Sequence, residues 1–439
     1  MEFSSQKILF VSYFVTLIFL GSLLLALPVS WNGSGSLAYS DALFTATSSV
    51  CVTGLITKGT EQFSSFGQGV ILALIQFGGL GIITFTTAFL ALPRARVSFR
   101  SISLVKKYYI DTVEFKSHHI VRSILFATVL IESTGFFLLY RQFNSTGVTR
   151  PVFTALFHTI SAFCNAGFST FPDSMIRFSH EKKILSIIMV LIFLGGIGFV
   201  VLDDIRKKIL FRKRLSLYSK IALGTSLSLV LIGAAFYYFS EANGVFSGLP
   251  IGQKVINSFF QSVTTRTAGF NSVEENDMRM ISKVFTIPLM LIGGSSGSIA
   301  GGIKVSTFFI LVAVIIFGVN SDGEMRIGNR KIDRNTIAHA FIFFGKAVFL
   351  LFFSTLLLVI SETVKGKGFS FLEMFYEVVS AFGTVGLSLG ITGKLSLLGK
   401  IVIIFTMFAG RVGLVTMAIS IVERKEVAID VPSEEVLIG

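Results

Sequence analysis

The sequence predicts an all-α integral membrane protein, built as four pseudo-symmetric helix–pore-loop–helix repeats around one central pore. Three observations predict it. Hydrophobic residues make up 52% of the 439 and charged residues 14%, with a mean hydropathy of +0.77, whereas soluble domains carry about a quarter charged residues. Long apolar runs recur along the whole chain. A short string ending in glycine also recurs four times, with a second glycine marker following each.

The recurring strings are Val50-Cys51-Val52-Thr53-Gly54-Leu55, Phe163-Cys164-Asn165-Ala166-Gly167-Phe168, Thr265-Arg266-Thr267-Ala268-Gly269-Phe270 and Phe382-Gly383-Thr384-Val385-Gly386-Leu387. Each places a small or branched residue before glycine and a large apolar one after it. Gly78, Gly195, Gly293 and Gly410 then follow at near-constant distance. Two landmarks in register four times define a repeat architecture. We divide the chain into repeats at 1–95, 96–205, 206–325 and 326–439.

Crossing a bilayer takes about 20 helical residues. Apolar runs of that order lie near 8–27, 67–92, 120–140, 183–202, 218–239, 280–317, 337–360 and 396–422. The first follows Lys7 in the manner of a signal peptide. Its apolar stretch is longer than the usual signal core and leads straight into the first repeat, so it is read as a retained helix. Within each repeat sits a segment too short to cross, around 40–50, 152–163, 251–264 and 370–382. Ser40 and Asp41 suit the start of the first, Pro151 the first turn of the second, and Ser370 with Glu373 makes a capping-box spacing before the fourth. The prediction is therefore eight transmembrane helices plus four re-entrant half-helices. Their carbonyl ends, the negative pole of the helix dipole, point at a common centre. Irregular backbone at that depth survives only where protein buries it or it lines a water-filled cavity, a condition that a pore meets.

Charge gives the orientation. Basic residues gather at Arg94, Arg96, Arg100, Lys106, Lys107, Lys116 and Arg122, at Arg206, Lys207, Lys208, Arg212, Lys213, Arg214 and Lys220, and at Arg326, Arg330, Lys331 and Arg334. By the positive-inside rule these connectors and both termini face the cytoplasm, in a multi-pass protein of the cell membrane, and the half-helices enter from outside. The formal net charge of +13 thus reports topology, and no nucleic-acid partner is expected. Cys51 and Cys164 occupy the same slot of the first two strings and suggest no disulfide framework. The five histidines form no metal-ligand spacing, and no transition metal or organic cofactor is expected.

Carbonyl-lined loops behind short helices are the chemistry of a filter for a dehydrated cation. The candidate ligands are the backbone oxygens of Cys51, Val52, Thr53 and Gly54, of Cys164, Asn165, Ala166 and Gly167, of Arg266, Thr267, Ala268 and Gly269, and of Gly383, Thr384, Val385 and Gly386. The sixth run is interrupted by Gly293-Gly294-Ser295-Ser296-Gly297-Ser298-Ile299-Ala300-Gly301-Gly302, a poor continuous helix by propensity. Its depth suggests a flexible plug beneath the filter. Arg411, beside Gly410, places a costly charge inside the membrane and so marks a functional position. Arg266 is expected to turn behind the filter and pair with a carboxylate, Glu377 or Glu132. Lys304 and Lys346 either snorkel or line an inner vestibule.

These residues resemble the Trk, Ktr and HKT superfamily of potassium transporters, most closely the membrane subunit of Ktr-type uptake systems. The strings Asp41-Ala42-Leu43-Phe44-Thr45-Ala46, Ser161-Ala162-Phe163-Cys164-Asn165-Ala166-Gly167-Phe168, Thr265-Arg266-Thr267-Ala268-Gly269-Phe270-Asn271 and Ser380-Ala381-Phe382-Gly383-Thr384-Val385-Gly386 carry the likeness, which runs over essentially the whole chain. The chain lacks the extra N-terminal helix pair of Trk-type subunits, which favours the Ktr branch. The resemblance implies potassium as the transported ion, with glycine in all four loops associated with potassium selectivity. It also implies an intramembrane gating loop at 293–302 and a pore arginine, Arg411, that helps hold the path closed. Its implied partners are a second copy of the chain, to which the tail Val431 to Gly439 contributes, and a cytosolic ATP- or ADP-binding ring docked on the basic inner loops.

Two alternatives follow from the residues. A sodium-selective or sodium-coupled carrier of the same superfamily differs only in the ion favoured. An intramembrane serine protease would use Gly294-Ser295-Ser296-Gly297 with His339 or His158, but a fourfold repeat serves no purpose in such a dyad. Gly79-x-Gly81 and Gly196-x-Gly198 lie in apolar runs and lack the third glycine of a dinucleotide loop.

Overall fold

The structure, a computed structural model, describes residues 2–91, 117–327 and 330–413. Among them are fourteen α-helices and one small hairpin. The first repeat contributes α1 (Glu2–Ala26), α2 (Tyr39–Val50) and α3 (Ser65–Ala91). The second contributes α4 (Ser117–Ser145), α5 (Pro151–Phe163), α6 (Lys182–Ile197) and the start of α7 (Phe199–Phe211), which runs past the boundary expected at 205. In the third come α8 (Leu217–Glu241), α9 (Ile251–Thr264), α10 (Met280–Leu291) and α11 (Val305–Phe317). The fourth holds α12 (Arg334–Val364), α13 (Phe371–Gly383) and α14 (Leu397–Phe408), which runs into a π-helical turn at Ala409–Gly413.

The four half-helices are α2, α5, α9 and α13, of 12, 13, 14 and 13 residues. At about 1.5 Å per residue each reaches roughly 20 Å, short of the roughly 30 Å hydrocarbon core. Pro151 opens α5, and Pro250 precedes α9, each with a preset backbone angle and no amide hydrogen to leave unpaired. Ser370 and Glu373 form the full capping box on α13: Glu373 N donates to Ser370 Oγ at 3.2 Å, and Ser370 N donates to Glu373 Oε2 at 2.7 Å. Ser370→Ala is expected to remove about 1 kcal/mol of stability, read as a lower unfolding temperature of the detergent-solubilised protein. The start of α2 differs from expectation. Neither Ser40 nor Asp41 caps it; the helix begins at Tyr39, and Asp41 in its first turn forms a partly buried ion pair with Lys400 of α14 at 2.6 Å.

Among the described residues three helices alone are long and apolar enough to cross, within α4, α8 and α12. The fourth apolar run is not one straight span. It breaks at Gly198, φ +88°, and α6 and α7 meet at 101°. Glycine is what permits that angle without a β-carbon clash. The sixth run splits into α10 and α11 around the Gly/Ser segment, as expected. A two-stranded antiparallel hairpin, β1 (Met325–Ile327) with β2 (Arg330–Ile332), was not expected in the third connector. Beyond it Asp333 caps α12, and the Thr336 hydroxyl that donates to it holds its carboxyl below the usual range. The cluster from Arg94 to Lys116, the end of the eighth run and the tail Val431 to Gly439 lie outside the described residues.

The core forms around the seams between repeats. Phe14, Phe44, Phe382 and Met407 belong to one buried cluster joining the first and fourth repeats; Leu139, Ile188, Phe260 and Phe270 belong to another joining the second and third. Elsewhere apolar surface is turned outward, as at Phe349 and Phe352 of α12, 70% and 68% exposed. Such an outer face suits lipid rather than water.

Candidate functional site

Each half-helix ends in a loop of the same conformation. Val52, Asn165, Thr267 and Thr384 have positive φ, between 50° and 67°, and two residues later Gly54, Gly167, Gly269 and Gly386 do so again, at 92°, 70°, 75° and 96°. The second set requires glycine for a further reason. A β-carbon on Gly54 would lie 2.5 Å from the Ala166 carbonyl oxygen, one on Gly167 would lie 2.7 Å from that of Ala268, one on Gly269 would lie 2.3 Å from that of Val385, and one on Gly386 would lie 2.3 Å from that of Thr53. Each loop therefore touches the next, and the fourth touches the first. Four loops in mutual contact form a closed ring, and a ring has one axis.

The sixteen predicted ligand residues are all in this ring. All are buried except Gly167 and Gly386, which are half-buried. The carbonyl ends of four helices converge here, and their negative poles suit a cation. A hydroxyl in the last turn of each half-helix anchors the loop, which the sequence reading missed. Gly54 N donates to Ser48 Oγ and Gly386 N to Ser380 Oγ, both at 3.1 Å. Ser161 Oγ donates to Phe168 O at 2.7 Å and Thr264 Oγ1 to Phe270 O at 2.8 Å. Their signal in the sequence is a Ser or Thr five or six residues before each loop glycine. The second landmark glycines are explained by close packing. A β-carbon on Gly78, Gly195 or Gly410 would lie within about 2 Å of the terminal carbonyl of its own half-helix, at Val50, Phe163 or Phe382.

Beneath the ring, residues 293–302 form a pinched loop. Its ends are tied by Gly293 N to Ile303 O at 2.8 Å and Ile303 N to Leu291 O at 3.1 Å. From this base the loop reaches every other repeat. In the second repeat Ser295 N donates to Gly196 O at 2.9 Å and Phe199 N to Gly297 O at 3.2 Å, and within the loop's own repeat Tyr218 OH donates to Ser296 O at 2.7 Å. A β-carbon on Gly301 would strike Thr384 Oγ1 and the Gly383 carbonyl of the fourth loop, and one on Gly79 would lie 3.3 Å from Ile299. Gly294 and Gly302 allow similarly close approaches, to Gly196 O and Leu291 O, and Ser298 closes a turn on Ser295. The segment is thus in contact with the first, second and fourth repeats as well as with its own.

Arg411 lies in the π-helical turn, buried, donating to Ile299 O of this loop and to Gly78 O at 3.1 Å. Arg266 does turn behind the ring, but its partners are not carboxylates. It donates to Ser226 O at 3.0 Å, Ser226 Oγ at 3.2 Å and Gly293 O at 3.2 Å, beside a small cavity lined by Ile192, Ile197 and Gly294. Glu132 instead accepts from Gln76 Nε2 at 3.1 and 3.2 Å, and Glu377 accepts from Ser388 and Thr392. Carbonyl dipoles can solvate a guanidinium without a counter-ion, at no cost in a second buried charge. Lys304 donates to Ala300 O at 2.6 Å, inside the loop rather than toward a membrane surface, and Lys346 is half-buried on α12. Among the described residues neither serine of Gly294-Ser295-Ser296-Gly297 is hydrogen-bonded to a histidine: Ser296 Oγ meets Ser306 Oγ at 3.2 Å, and His158 bonds Thr154 O and Ser169 Oγ.

Comparison with known proteins agrees with this geometry. The family model described as TrkH, cation transport protein, matches residues 2–428. The chain is 36% identical to "Ktr system potassium uptake protein B" of Bacillus subtilis, over 100% of this chain and 97% of that protein. To "Potassium/sodium uptake protein NtpJ" of Enterococcus hirae it is 35% identical, over 99% of this chain and 97% of the other. In fold it is similar to the crystal structure of the potassium transporter TrkH from Vibrio parahaemolyticus, with TM-score 0.72 and 20% identity, over 94% of this chain and 84% of that one. A ring of four carbonyl loops in a lipid-facing helical body and a family match over nearly the whole length lead to one conclusion: the chain belongs to the TrkH family of cation transport proteins.

Proposed function

We propose that this chain mediates potassium uptake across the cell membrane through a filter formed by the four loops. The observation that carries the reading is the closed contact ring of Gly54, Gly167, Gly269 and Gly386, each against the carbonyl that precedes the next glycine. Backbone oxygens from four sides replace the hydration shell of an ion that has shed its water. No organic cofactor takes part. An inside-negative potential contributes about 2.3 kcal/mol per unit charge per 100 mV, enough to drive accumulation of a monovalent cation.

The 293–302 loop is the gate in this reading. It lies across the path, and Arg411 holds it from the far side by donating to Ile299 O. The guanidinium also repels a cation leaving the filter. Opening requires the loop to leave that position, for which its glycines supply the backbone freedom. A homodimer and a cytosolic nucleotide-binding ring are the proposed partners. The basic inner loops, with Arg206, Lys207 and Lys208 on α7, offer such a ring its docking face, with both termini on the same side.

Sodium passage is the second reading, favoured by the name of the Enterococcus relative. Gly54→Ser in a potassium-uptake-deficient cell separates the two. The added side chain displaces the Ala166 carbonyl, so the potassium-to-sodium flux ratio should fall about tenfold or more. Wild-type protein that restores no growth at low potassium would overturn the proposal, and one that carries both ions equally would favour the second reading.

A further inference from the structure

Each half-helix bears a second polar position, one turn before its anchoring hydroxyl. Three residues back from Ser48, Ser161, Thr264 and Ser380 stand Thr45, His158, Gln261 and Glu377, all buried. Three of them reach past the filter to the limb that leaves it. Glu377 accepts from Ser388 Oγ at 2.7 Å on Oε2 and from Thr392 Oγ1 on Oε1. Gln261 Nε2 donates to Glu275 Oε1 at 2.6 Å, and His158 Nε2 lies 2.9 Å from Ser169 Oγ. Ser169 and Ser388 each stand two residues beyond their loop glycine.

Glu377 is distinguished from a packing residue by its bonding. Each carboxyl oxygen is bonded to a hydroxyl of the limb beyond the filter, Oε2 to Ser388 and Oε1 to Thr392, so the side chain clamps that limb at two points. Its donors are neutral hydroxyls of the limb itself, so among the described residues no hydrogen-bonded base cancels the charge. A buried carboxylate kept on those terms acts at longer range than a surface one, because little water screens it. Glu275 adds to the same side. It is also buried, and its second oxygen accepts from the hydroxyl of Tyr376, the neighbour of Glu377, at 2.9 Å. At this position the third and fourth half-helices thus have a glutamate or a glutamine bonded to one, where the first and second have a threonine and a histidine, and the second loop meets Glu132 only through Gln76 at Cys164.

We infer that Glu377 is a positioning and specificity-determining residue of the filter. Through Ser388 and Thr392 it holds the outer limb of the fourth loop, and its charge raises the affinity of the outermost cation site. This rests on the filter reading above.

The test compares potassium and sodium uptake by Glu377→Gln, Glu377→Asp and Ser388→Ala in the potassium-uptake-deficient cell, with membrane abundance measured for each. Glu377→Gln keeps the size and loses the charge, and should raise the potassium KM about fivefold or more with the maximal rate per molecule within about twofold. Ser388→Ala keeps the charge and releases the limb, so it should lower the potassium-to-sodium ratio and leave KM near wild type. A Gln variant with wild-type KM and wild-type selectivity overturns the inference. If that variant does not accumulate, Glu377→Asp decides: a KM near wild type supports the role of charge, and a KM raised as far as expected for Gln overturns it. Wild-type protein in the same assay keeps the two claims apart, since its own failure to carry potassium sinks the filter reading instead.

Discussion

Gly386→Ala is expected to abolish potassium uptake, by about a hundredfold or more, with the protein still present in the membrane. The residue sits at φ +96°, where an L-side chain is strained, and its β-carbon would lie 2.3 Å from the Thr53 carbonyl oxygen. That atom is main chain, so no rotamer change relieves the clash. Either the fourth loop or the first must move, and a displacement of the order of 1 Å in a reacting or coordinating group can cost about 10² in rate. Radiolabelled rubidium or potassium uptake, normalised to membrane abundance, reads the effect. Gly390→Ala is the control. It too has positive φ, 89°, but nothing lies within 4 Å of its β-carbon position, so backbone strain alone should leave most of the flux. Equal losses in the two variants would remove close packing as the reason for glycine in the ring.

The second large effect is expected from the gate, in the opposite direction. Arg411→Ala, or a deletion that shortens residues 296–299, should raise potassium flux at low driving force. Arg411 joins Ile299 O to Gly78 O, so it ties the loop to the first repeat. Hydrogen bonds from a charged group contribute about 1.5–3 kcal/mol, enough to shift a closed-to-open ratio by about tenfold or more. The loop deletion should act more strongly, because it also removes the contacts of Ser296 with Tyr218 and of Gly297 with Phe199. Unchanged conductance in a folded deletion variant would show that the path is closed somewhere else.

The repeats were legible in the sequence because glycine is the one residue that the ring and the half-helix ends can accept, so geometry is written directly as residue type. Gly54, Gly167, Gly269 and Gly386 have that origin, as do Gly78, Gly195 and Gly410. The Gly/Ser segment was legible for the complementary reason, since a run with little apolar surface and poor helix propensity stands out in an apolar span. The break at Gly198 was not. It sits among Ile197, Phe199 and Val200, whose hydropathy continues the span, and hydropathy carries no information about φ. For Arg266 the rule of charge pairing points to a carboxylate, whereas the Ser226 and Gly293 oxygens suffice. In the sequence Glu377 stands out only as a possible partner of that arginine. The bonds to Ser388 and Thr392 join residues 11 and 15 apart across a loop, a separation with no periodic signature.

The head-to-tail packing of the four glycines has a consequence for how such a pore can diversify. Identical subunits would change all four quadrants with every mutation, whereas a single chain can alter one quadrant and leave its neighbours intact. The main chain must stay nearly invariant, since each quadrant is the mould of the next. Variation is pushed outward into the supporting side chains, where threonine, histidine, glutamine and glutamate already occupy what symmetry alone would make one site.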